Sequence, residues 1–165
     1  MLIEVGIGGL AIDEKSKSPV VLLQEVGGER YLHIWIGPAE ASAIAMELAG
    51  RKFQRPLTHD LMAMIVQGLK AEVSKIVISE LRDNTFFAKI ILDRQSENVA
   101  VDARPSDSIA LALRTHSPIY VAEELLNGQG KVSTEKTKEE REAERAEELR
   151  SFLEKMNPED FGKFF

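Results

Sequence analysis

Two short stretches hold most of the residue types that could perform acid–base, metal or phosphate chemistry. The first, at residues 55–61, reads Arg-Pro-Leu-Thr-His-Asp-Leu, and the second, at residues 102–107, reads Asp-Ala-Arg-Pro-Ser-Asp. Carboxylates supply the oxygen ligands that Mg²⁺ and Mn²⁺ prefer, a histidine titrates near neutral pH, and an arginine binds phosphate through paired hydrogen bonds. These side chains suit a site for a metal or a phosphate, but their chemistry alone names no substrate.

Both stretches lie where the sequence predicts the beginning of a helix. Pro105 has a fixed φ angle and no N–H group, which suits the first turn of a helix. Ser106 and Asp107 follow it, and Thr58 stands near the start of the other helix. Each of these side chains can accept a hydrogen bond from an unpaired N–H group there. We therefore expect helix N-termini to hold the polar residues.

The helix that follows Pro105 is predicted to be buried on every side. Residues 109–113 are all apolar, so no face of this helix is suited to water. The polar residues around it are then expected to emerge at its ends: Asp102, Arg104, Asp107 and Arg114. A second helix, at residues 58–70, is predicted to be amphipathic. Its expected buried stripe consists of Leu61, Met62, Ile65, Val66 and Leu69.

The order of the apolar runs predicts an α+β fold in which one arrangement occurs twice. Each half of the chain has three predicted strands, a proline and a helix, with Pro38 and Pro105 as the two prolines. We interpret this order as two β-meander-plus-helix units, a possible internal duplication, with an intervening helix. The first strand is expected to end at Gly8-Gly9, and Gly27-Gly28 to form a tight hairpin turn. Strands are predicted at residues 2–7, 20–26, 31–36, 73–81, 85–92, 98–103 and 118–121, and helices at 39–49, 58–70, 105–115 and 122–126.

The composition changes after residue 130, where glutamate, lysine, arginine and alanine begin to dominate. A charged surface helix is predicted at residues 135–155, and its apolar stripe must dock on another surface. The stripe consists of Leu149, Phe152, Leu153 and Met156, and an aromatic terminus follows at Phe161, Phe164 and Phe165. We divide the chain into one domain at residues 1–130 and a C-terminal helical arm at residues 131–165.

Aromatic residues predict contact with other parts of the fold or with a second copy. Tyr31, His33 and Trp35 alternate along one predicted strand and therefore share a face. We expect this face to pack against a helix or another subunit, and base stacking on Tyr31 and Trp35 is the alternative. Together with the phenylalanine-rich terminus, this face predicts a homo-oligomer.

Composition excludes several classes of protein. The chain has 165 residues, of which 44% are hydrophobic and 29% charged, and this suits a globular domain with a proper core. The absence of cysteine excludes disulfides, thiolate zinc sites and a cysteine nucleophile. No apolar run approaches the roughly 20 residues of a membrane helix, so we expect no membrane association and a cytoplasmic location. A net charge of −6 argues against general polyanion binding, so any contact with nucleic acid must be local.

The two stretches, at residues 55–61 and 102–112, together resemble the bifunctional nuclease domain family. The likeness extends from about residue 4 to residue 124, and one departure is Ser108, where the family has alanine. The resemblance implies an α+β domain and an activity that cleaves both DNA and RNA. It places the polar signature of the family on Arg55, Thr58, His59, Asp60, Asp102, Arg104, Ser106 and Asp107.

From this resemblance we expect a nuclease of broad specificity that is assisted by a metal. Catalytic roles are expected for His59, Asp60, Asp102 and Asp107. The histidine would act as acid or base, and the three aspartates would hold Mg²⁺ or Mn²⁺, which would activate a water. Substrate binding is expected for Arg55, Thr58, Arg104 and Ser106. No organic cofactor is expected, and DNA or RNA is the expected partner.

The same residues also have a structural interpretation, in which the domain is a non-catalytic module for anion binding or oligomerisation. The hydroxyl groups would cap helices, the acids would complement helix dipoles, and the arginines would pair with the acids. An enzyme predicts that Asp102, Asp107 and either His59 or Asp60 converge on one open pocket. A structural role predicts arginine–aspartate pairs that are closed on each other and shielded from solvent.

Overall fold

A computed structural model describes residues 1–128 and 137–156 of the chain. Its strands are β1 (Leu2–Ile12), β2 (Pro19–Glu25), β3 (Tyr31–Trp35), β4 (Glu72–Arg82), β5 (Thr85–Arg94), β6 (Glu97–Ala103) and β7 (Ile119–Ala122). Its helices are α1 (Pro38–Leu48), α2 (Thr58–Gly68), α3 (Pro105–Thr115), α4 (Glu123–Asn127) and α5 (Lys138–Lys155). All seven strands belong to one sheet, so the predicted α+β class is confirmed.

The order of the strands shows the repeated arrangement. The sheet runs β3-β2-β1-β7-β4-β5-β6, so β7 lies between two antiparallel meanders of three strands each. β7 pairs antiparallel with β1 and parallel with β4. Each meander is followed by a helix with proline in its first turn, which is α1 in the first unit and α3 in the second. The two predicted meander-plus-helix units are confirmed.

The core lies between one face of the sheet and the helices α1 and α3. α1 packs against β2 and α3, and α3 packs against β4 and β5. Paired residues such as Val21 with Ile34 and Ile76 with Ile119 point their side chains into this core. Every residue of α3 from 108 to 112 is at most 2% exposed, which confirms that this helix is buried all round.

Helix α2 is less buried than its pattern predicts. It packs mainly on α3, and only Met62, Ala63 and Val66 among its apolar residues are partly buried. Leu61, Ile65 and Leu69 are 48%, 52% and 59% exposed. The expected buried stripe is therefore wrong at these three positions, because a helix that rests on one neighbour covers a narrower strip than a helix packed on a sheet.

Three other details differ from expectation. β1 continues through Gly8-Gly9 to Ile12, with a shift of register between Ile7 and Gly9 that absorbs the glycines as a bulge. The β2–β3 turn is longer than a two-residue turn, because the pair formed by Glu25 and Arg30 leaves residues 26–29 in the loop. Arg114 does not emerge at the end of α3, since its side chain is 5% exposed and donates to Asp60, Ala110 and Ala43 inside the fold.

Helices α1, α2 and α3 end in the same way, with one residue in the left-handed conformation. These residues are Gly50, Lys70 and His116, with φ angles of 64°, 56° and 54°. In each case the following N–H group donates to a carbonyl oxygen five residues earlier, which satisfies a free group of the last turn. Gly50 therefore ends α1, close to the predicted end of this helix at residue 49, and the chain turns from there towards α2.

The C-terminal helix α5 packs on its own chain, against β1 and α1. Phe152 is 5% exposed and belongs to the core, and Leu149, Leu153 and Met156 pack against it, so the predicted stripe docks in cis. Phe161, Phe164 and Phe165 lie outside the described residues. The division of the chain after residue 130 stays a prediction.

The aromatic row of β3 lies on the face of the sheet opposite to α1 and α3. Its rings touch in sequence, with centroids 4.9 Å apart for Tyr31 and His33 and 6.4 Å apart for His33 and Trp35. Trp35 is 55% exposed. Burial lowers the pKa of His33. None of the helices in the described part of the chain has the length and apolar character needed to span a bilayer.

Candidate functional site

The first turns of α1, α2 and α3 share one construction. Each has an acidic residue at its third position, and these residues are Glu40, Asp60 and Asp107. A carboxylate at this position interacts favourably with the free N–H groups and the positive end of the helix dipole. Every one of the three carboxylates is also hydrogen-bonded to an arginine. The arrangement joins the three helix beginnings into one polar cluster.

Arg104 connects the beginnings of the two repeated helices. It precedes α3, and its Nε donates to Oδ2 of Asp107 at 2.8 Å, while its Nη2 donates to Oε1 of Glu40 at 2.7 Å. These hydrogen bonds raise the pKa of Arg104. The Arg104 side chain is 66% exposed, whereas Glu40 is 16% and Asp107 25% exposed. One guanidinium group therefore fixes two partly buried carboxylates and still faces solvent.

His59 completes this cluster from helix α2. Its Nε2 lies 2.9 Å from Oδ1 of Asp107, and the residue is 7% exposed. An ionised carboxylate can only accept a hydrogen bond, so Asp107 favours the tautomer that carries a proton on Nε2 and leaves Nδ1 unprotonated. This is the arrangement in which a carboxylate orients a histidine for proton transfer. The pair joins the two stretches that the sequence singled out.

Asp60 and Arg114 form a second, more enclosed pair. Nε of Arg114 donates to Oδ1 of Asp60 at 2.6 Å, and the remaining Arg114 nitrogens donate to the carbonyl oxygens of Ala110 and Ala43. The backbone N–H of Leu57 donates to Oδ2 of Asp60. Partial burial opposes ionisation of Asp60, but the hydrogen bonds from Leu57 and Arg114 outweigh it and lower its pKa. The pair fixes the first turn of α2 on α3.

The three aspartates that were expected to hold a metal are not brought together. Asp102 lies on β6, opposite Lys89 of β5, and is exposed. Asp60 and Asp107 are engaged by different arginines, so their oxygens already have cationic partners. Within residues 1–128 and 137–156 no group of three or more histidine, aspartate or glutamate residues is placed to hold a metal ion. This donor set does not fit a preformed metal site.

The expected substrate-binding residues have different environments. Arg55 is exposed and lines a cavity next to Asp60. Thr58 is exposed and is the first residue of α2, where Leu57 rather than Thr58 takes the capping position. Ser106 is only 6% exposed and lies inside the fold. Arg55, Thr58 and Arg104 therefore face solvent, and Ser106 does not.

Ser108, which stands where the family resemblance predicts alanine, has a local role in α3. It is fully buried, and its Oγ donates to the carbonyl oxygen of Arg104 at 2.9 Å. The hydroxyl group therefore finds its partner within the first turn of α3, and no buried polar cost arises.

Sequence reasoning did not assign Glu40 or Arg114 to the site. A signal for Glu40 exists in the repeat, since an acid follows the proline by two residues in both units, at Pro38 and at Pro105. Arg114 has no such signal. Apart from Ala110 of its own helix, its partners come from α1 and α2 and are known only once the helices are packed.

The fold and these paired side chains define a class of protein, an α+β domain with two meander-plus-helix units and a His–Asp pair between its helices. A model of the bifunctional nuclease domain matches residues 21–134, more than half of the chain. The chain therefore belongs to the bifunctional nuclease domain family.

Relatives of two kinds match the chain. An uncharacterised protein of Mycobacterium tuberculosis is 42% identical over 163 residues, which cover 96% of this chain and 97% of that protein. Bifunctional nuclease 2 of Oryza sativa subsp. japonica is 25% identical over 77% of this chain and 40% of its own length. Bifunctional nuclease 1 of Arabidopsis thaliana is 26% identical over 74% and 39%. The chain thus spans about two fifths of each plant nuclease.

Proposed function

We propose that this protein is a nuclease that hydrolyses phosphodiester bonds in both DNA and RNA. The observation that carries the proposal is the His59–Asp107 pair, with its 2.9 Å separation, in a domain of the bifunctional nuclease family. Histidine is the side chain best suited to move protons near neutral pH, and Asp107 holds its ring in one orientation. The names of the plant relatives support nucleic acid as the substrate.

Each residue of the cluster has a defined task in this proposal. His59 takes a proton from the attacking water or gives one to the leaving oxygen, and Asp107 stabilises the histidine when it is protonated. Arg104 faces solvent beside this pair and neutralises charge on the phosphoryl oxygens, in addition to positioning Asp107. Arg55 is exposed, lines the cavity next to Asp60, and holds a second part of the nucleic-acid strand.

Metal assistance stays an expectation from the family resemblance. The carboxylates of Asp60 and Asp107 are already hydrogen-bonded to Arg114, Arg104 and His59. We therefore assign no catalytic step to an ion held by Asp60, Asp102 and Asp107. The proposed steps depend on the chain's own acid, base and cationic groups.

A non-catalytic role for the same cluster is favoured by one observation. The Asp60–Arg114 pair is closed at 2.6 Å, and Arg114 is 5% exposed, as a structural role predicts. On this alternative the cluster only fixes α2 on α3, and the exposed arginines hold an anion without cleaving it. The two functions differ in whether His59 is needed for turnover or only for stability.

The test is cleavage of labelled single-stranded RNA and DNA in Mg²⁺, in Mn²⁺ and in EDTA. Wild-type protein is compared with His59→Gln and with the matched control Asp93→Asn, which removes an exposed carboxylate of β5 that has no ion pair with the described residues. We expect cleavage by the wild type and the control and at least a 100-fold lower rate for His59→Gln. All variants are checked for folding by thermal unfolding.

Equal cleavage by folded His59→Gln would reject the catalytic proposal. Cleavage that does not follow the protein through purification would indicate a contaminant and also reject it. The proposed homo-oligomer is tested separately by sedimentation velocity, where a mass of one chain, about 18.4 kDa, would contradict it. The cytoplasmic location stays a prediction, to be tested by cell fractionation.

A further inference from the structure

A cavity of about 140 Å³ lies where the end of α1, the connection to α2 and the first turn of α2 meet. Four basic residues line it, and they are Arg51, Lys52, Arg55 and Arg114. Its two acidic residues are Glu47 and Asp60. The cavity shares the first turn of α2 with the His59–Asp107 pair, because Asp60 follows His59 directly. The same turn therefore carries a wall of the cavity and one member of the proposed catalytic pair, although neither His59 nor Asp107 lines the cavity.

The charges of the cavity do not balance. Glu47 is paired with Lys52 at 3.6 Å, and Asp60 is paired with Arg114 at 2.6 Å. Arg51 and Arg55 remain, both exposed and without an ion pair among the described residues. The cavity therefore carries two guanidinium groups in excess, although the net charge of the chain is −6. The local charge is the opposite of the overall charge and would attract an anion.

The base of the cavity adds donors that are already positioned. Arg114 is 5% exposed and held in place by three acceptors, the carboxylate of Asp60 and two backbone carbonyl groups. A guanidinium group has five N–H donors, so two remain after these three hydrogen bonds. Its orientation is fixed before any ligand arrives, which reduces the entropy lost on binding. The exposed arginines then need to order only their own side chains.

We propose that this cavity binds a phosphate group through Arg51 and Arg55, with Arg114 at its base. The inference rests on the proposed nuclease function in one respect: the phosphate belongs to a nucleotide of the strand next to the bond that is cleaved. Arginine forks match the tetrahedral oxygens of phosphate and bind them through paired hydrogen bonds. A free phosphate monoester has the same chemistry, so the experiment must distinguish the two sources.

A simpler interpretation explains part of the cluster. Arg51 and Lys52 follow the C-terminus of α1, where a cation is stabilised by the negative end of the helix dipole. That interpretation does not explain Arg55, which lies in the connection before α2. It predicts that removal of the two arginines changes stability and leaves anion binding unaltered.

The experiment measures binding by calorimetry with three probes: inorganic phosphate, a 5′-phosphorylated dinucleotide and the same dinucleotide without that phosphate. The double variant Arg51→Gln/Arg55→Gln is compared with Lys17→Gln/Arg94→Gln, which removes the same two charges from exposed positions elsewhere. We expect at least tenfold weaker phosphate binding in the first variant and no change in the control. Equal weakening in both variants, or in neither, would overturn the proposal.

Separate measurements test where the phosphate comes from and whether the proposed nuclease function is correct. Tighter binding of the phosphorylated dinucleotide than of inorganic phosphate supports a strand, and a preference for inorganic phosphate overturns that part of the proposal. His59→Gln is expected to bind all three probes as the wild type does. If wild-type protein binds phosphate at Arg51 and Arg55 but cleaves nothing, the cavity assignment stands and the nuclease proposal fails. If cleavage and its KM are unchanged in Arg51→Gln/Arg55→Gln, the assignment of this phosphate to the cleaved strand fails and the nuclease proposal stands.

Discussion

Asp107 uses its two carboxylate oxygens for two different partners, Oδ1 for Nε2 of His59 at 2.9 Å and Oδ2 for Nε of Arg104 at 2.8 Å. If His59 transfers protons, Asp107→Asn should lower kcat by about 100-fold, because an amide can no longer stabilise the protonated ring. The double variant His59→Gln/Asp107→Asn should be no slower than His59→Gln alone, since the two residues act as one unit. Steady-state kinetics on a labelled oligonucleotide provides the measurement. Losses that simply multiply in the double variant would show that the two residues act independently.

Arg104 is expected to affect catalysis more than stability. Its side chain is 66% exposed, so its ion pairs with Glu40 and Asp107 should contribute less than about 1 kcal/mol to the free energy of unfolding. Arg104→Lys keeps the charge but cannot make both hydrogen bonds in the same geometry. We expect kcat to fall about tenfold, equivalent to roughly 1.4 kcal/mol, with the pH dependence of kcat altered. Thermal unfolding and a pH–rate profile measured on the same sample separate the two effects, and a loss of stability without a change in kcat would contradict this role.

The Asp60–Arg114 pair should make the free energy of unfolding depend on pH in the acid range. The pKa of Asp60 is lowered in the folded protein from its ordinary value of 3.8, so the unfolded chain binds more protons in acid. The stabilisation is fully present above about pH 5, and it is lost as the pH falls through the lower pKa of the folded state. Asp60→Asn should therefore reduce the free energy of unfolding at pH 7 by about 2 kcal/mol, and this difference should shrink towards about pH 2.

Urea unfolding at several pH values measures the effect of Asp60, with Asp93→Asn as the matched control. Asp93 is exposed and has no ion pair with the described residues, so its substitution should change stability by less than about 0.5 kcal/mol at every pH. A difference between wild type and Asp60→Asn that stays constant from neutral to acid pH would show that the charge of Asp60 does not matter.

Local patterns in the sequence predict much of this fold because each element carries its own signals. Pro105 and the apolar residues 109–113 specify a buried helix, and Gly50 specifies the end of another. The two meanders follow from short β-forming runs between turn residues. These signals are local, so they can be recognised without knowledge of the neighbouring elements. The exposed side of α2 could not be predicted in the same way, because the width of a buried strip depends on what the helix packs against.

The candidate site was predictable only in part, for the same reason. The sequence identifies the two stretches that contain His59 and Asp107, and the structure brings these residues into contact. The partners of the arginines were not predictable: Arg114 reaches Asp60 across 54 positions of sequence, and Arg104 reaches Glu40 across 64. Asp102 is only two residues before Arg104 in the motif but lies on β6, apart from these pairs. Proximity in sequence does not show which carboxylates share a site.

Addition of Mn²⁺ should not stabilise the free protein. A ligand at 100 times its Kd adds about 2.7 kcal/mol to the free energy of unfolding, which corresponds to several degrees in Tm for a chain of this size. Asp60 and Asp107 are paired with arginines, and Asp102 lies apart from them. We therefore expect no rise in Tm when Mn²⁺ or Mg²⁺ is added and no fall in Tm when EDTA is added. A rise that disappears in Asp102→Asn and in Asp107→Asn would show that these carboxylates do bind an ion together.

His116→Gly should stabilise the protein and leave its activity unchanged. His116 ends α3 with φ at 54°, a conformation that costs a residue with a Cβ atom about 1 kcal/mol relative to glycine. The hydrogen bond from Ser117 N–H to the carbonyl oxygen of Ala112 depends only on the backbone, so the substitution preserves it. Urea unfolding should show a gain of about 0.5–1 kcal/mol for His116→Gly and no gain for the matched control His116→Ala, which keeps the Cβ atom. Equal stability of the two variants would show that the imidazole side chain, rather than the backbone conformation, determines the contribution of this residue.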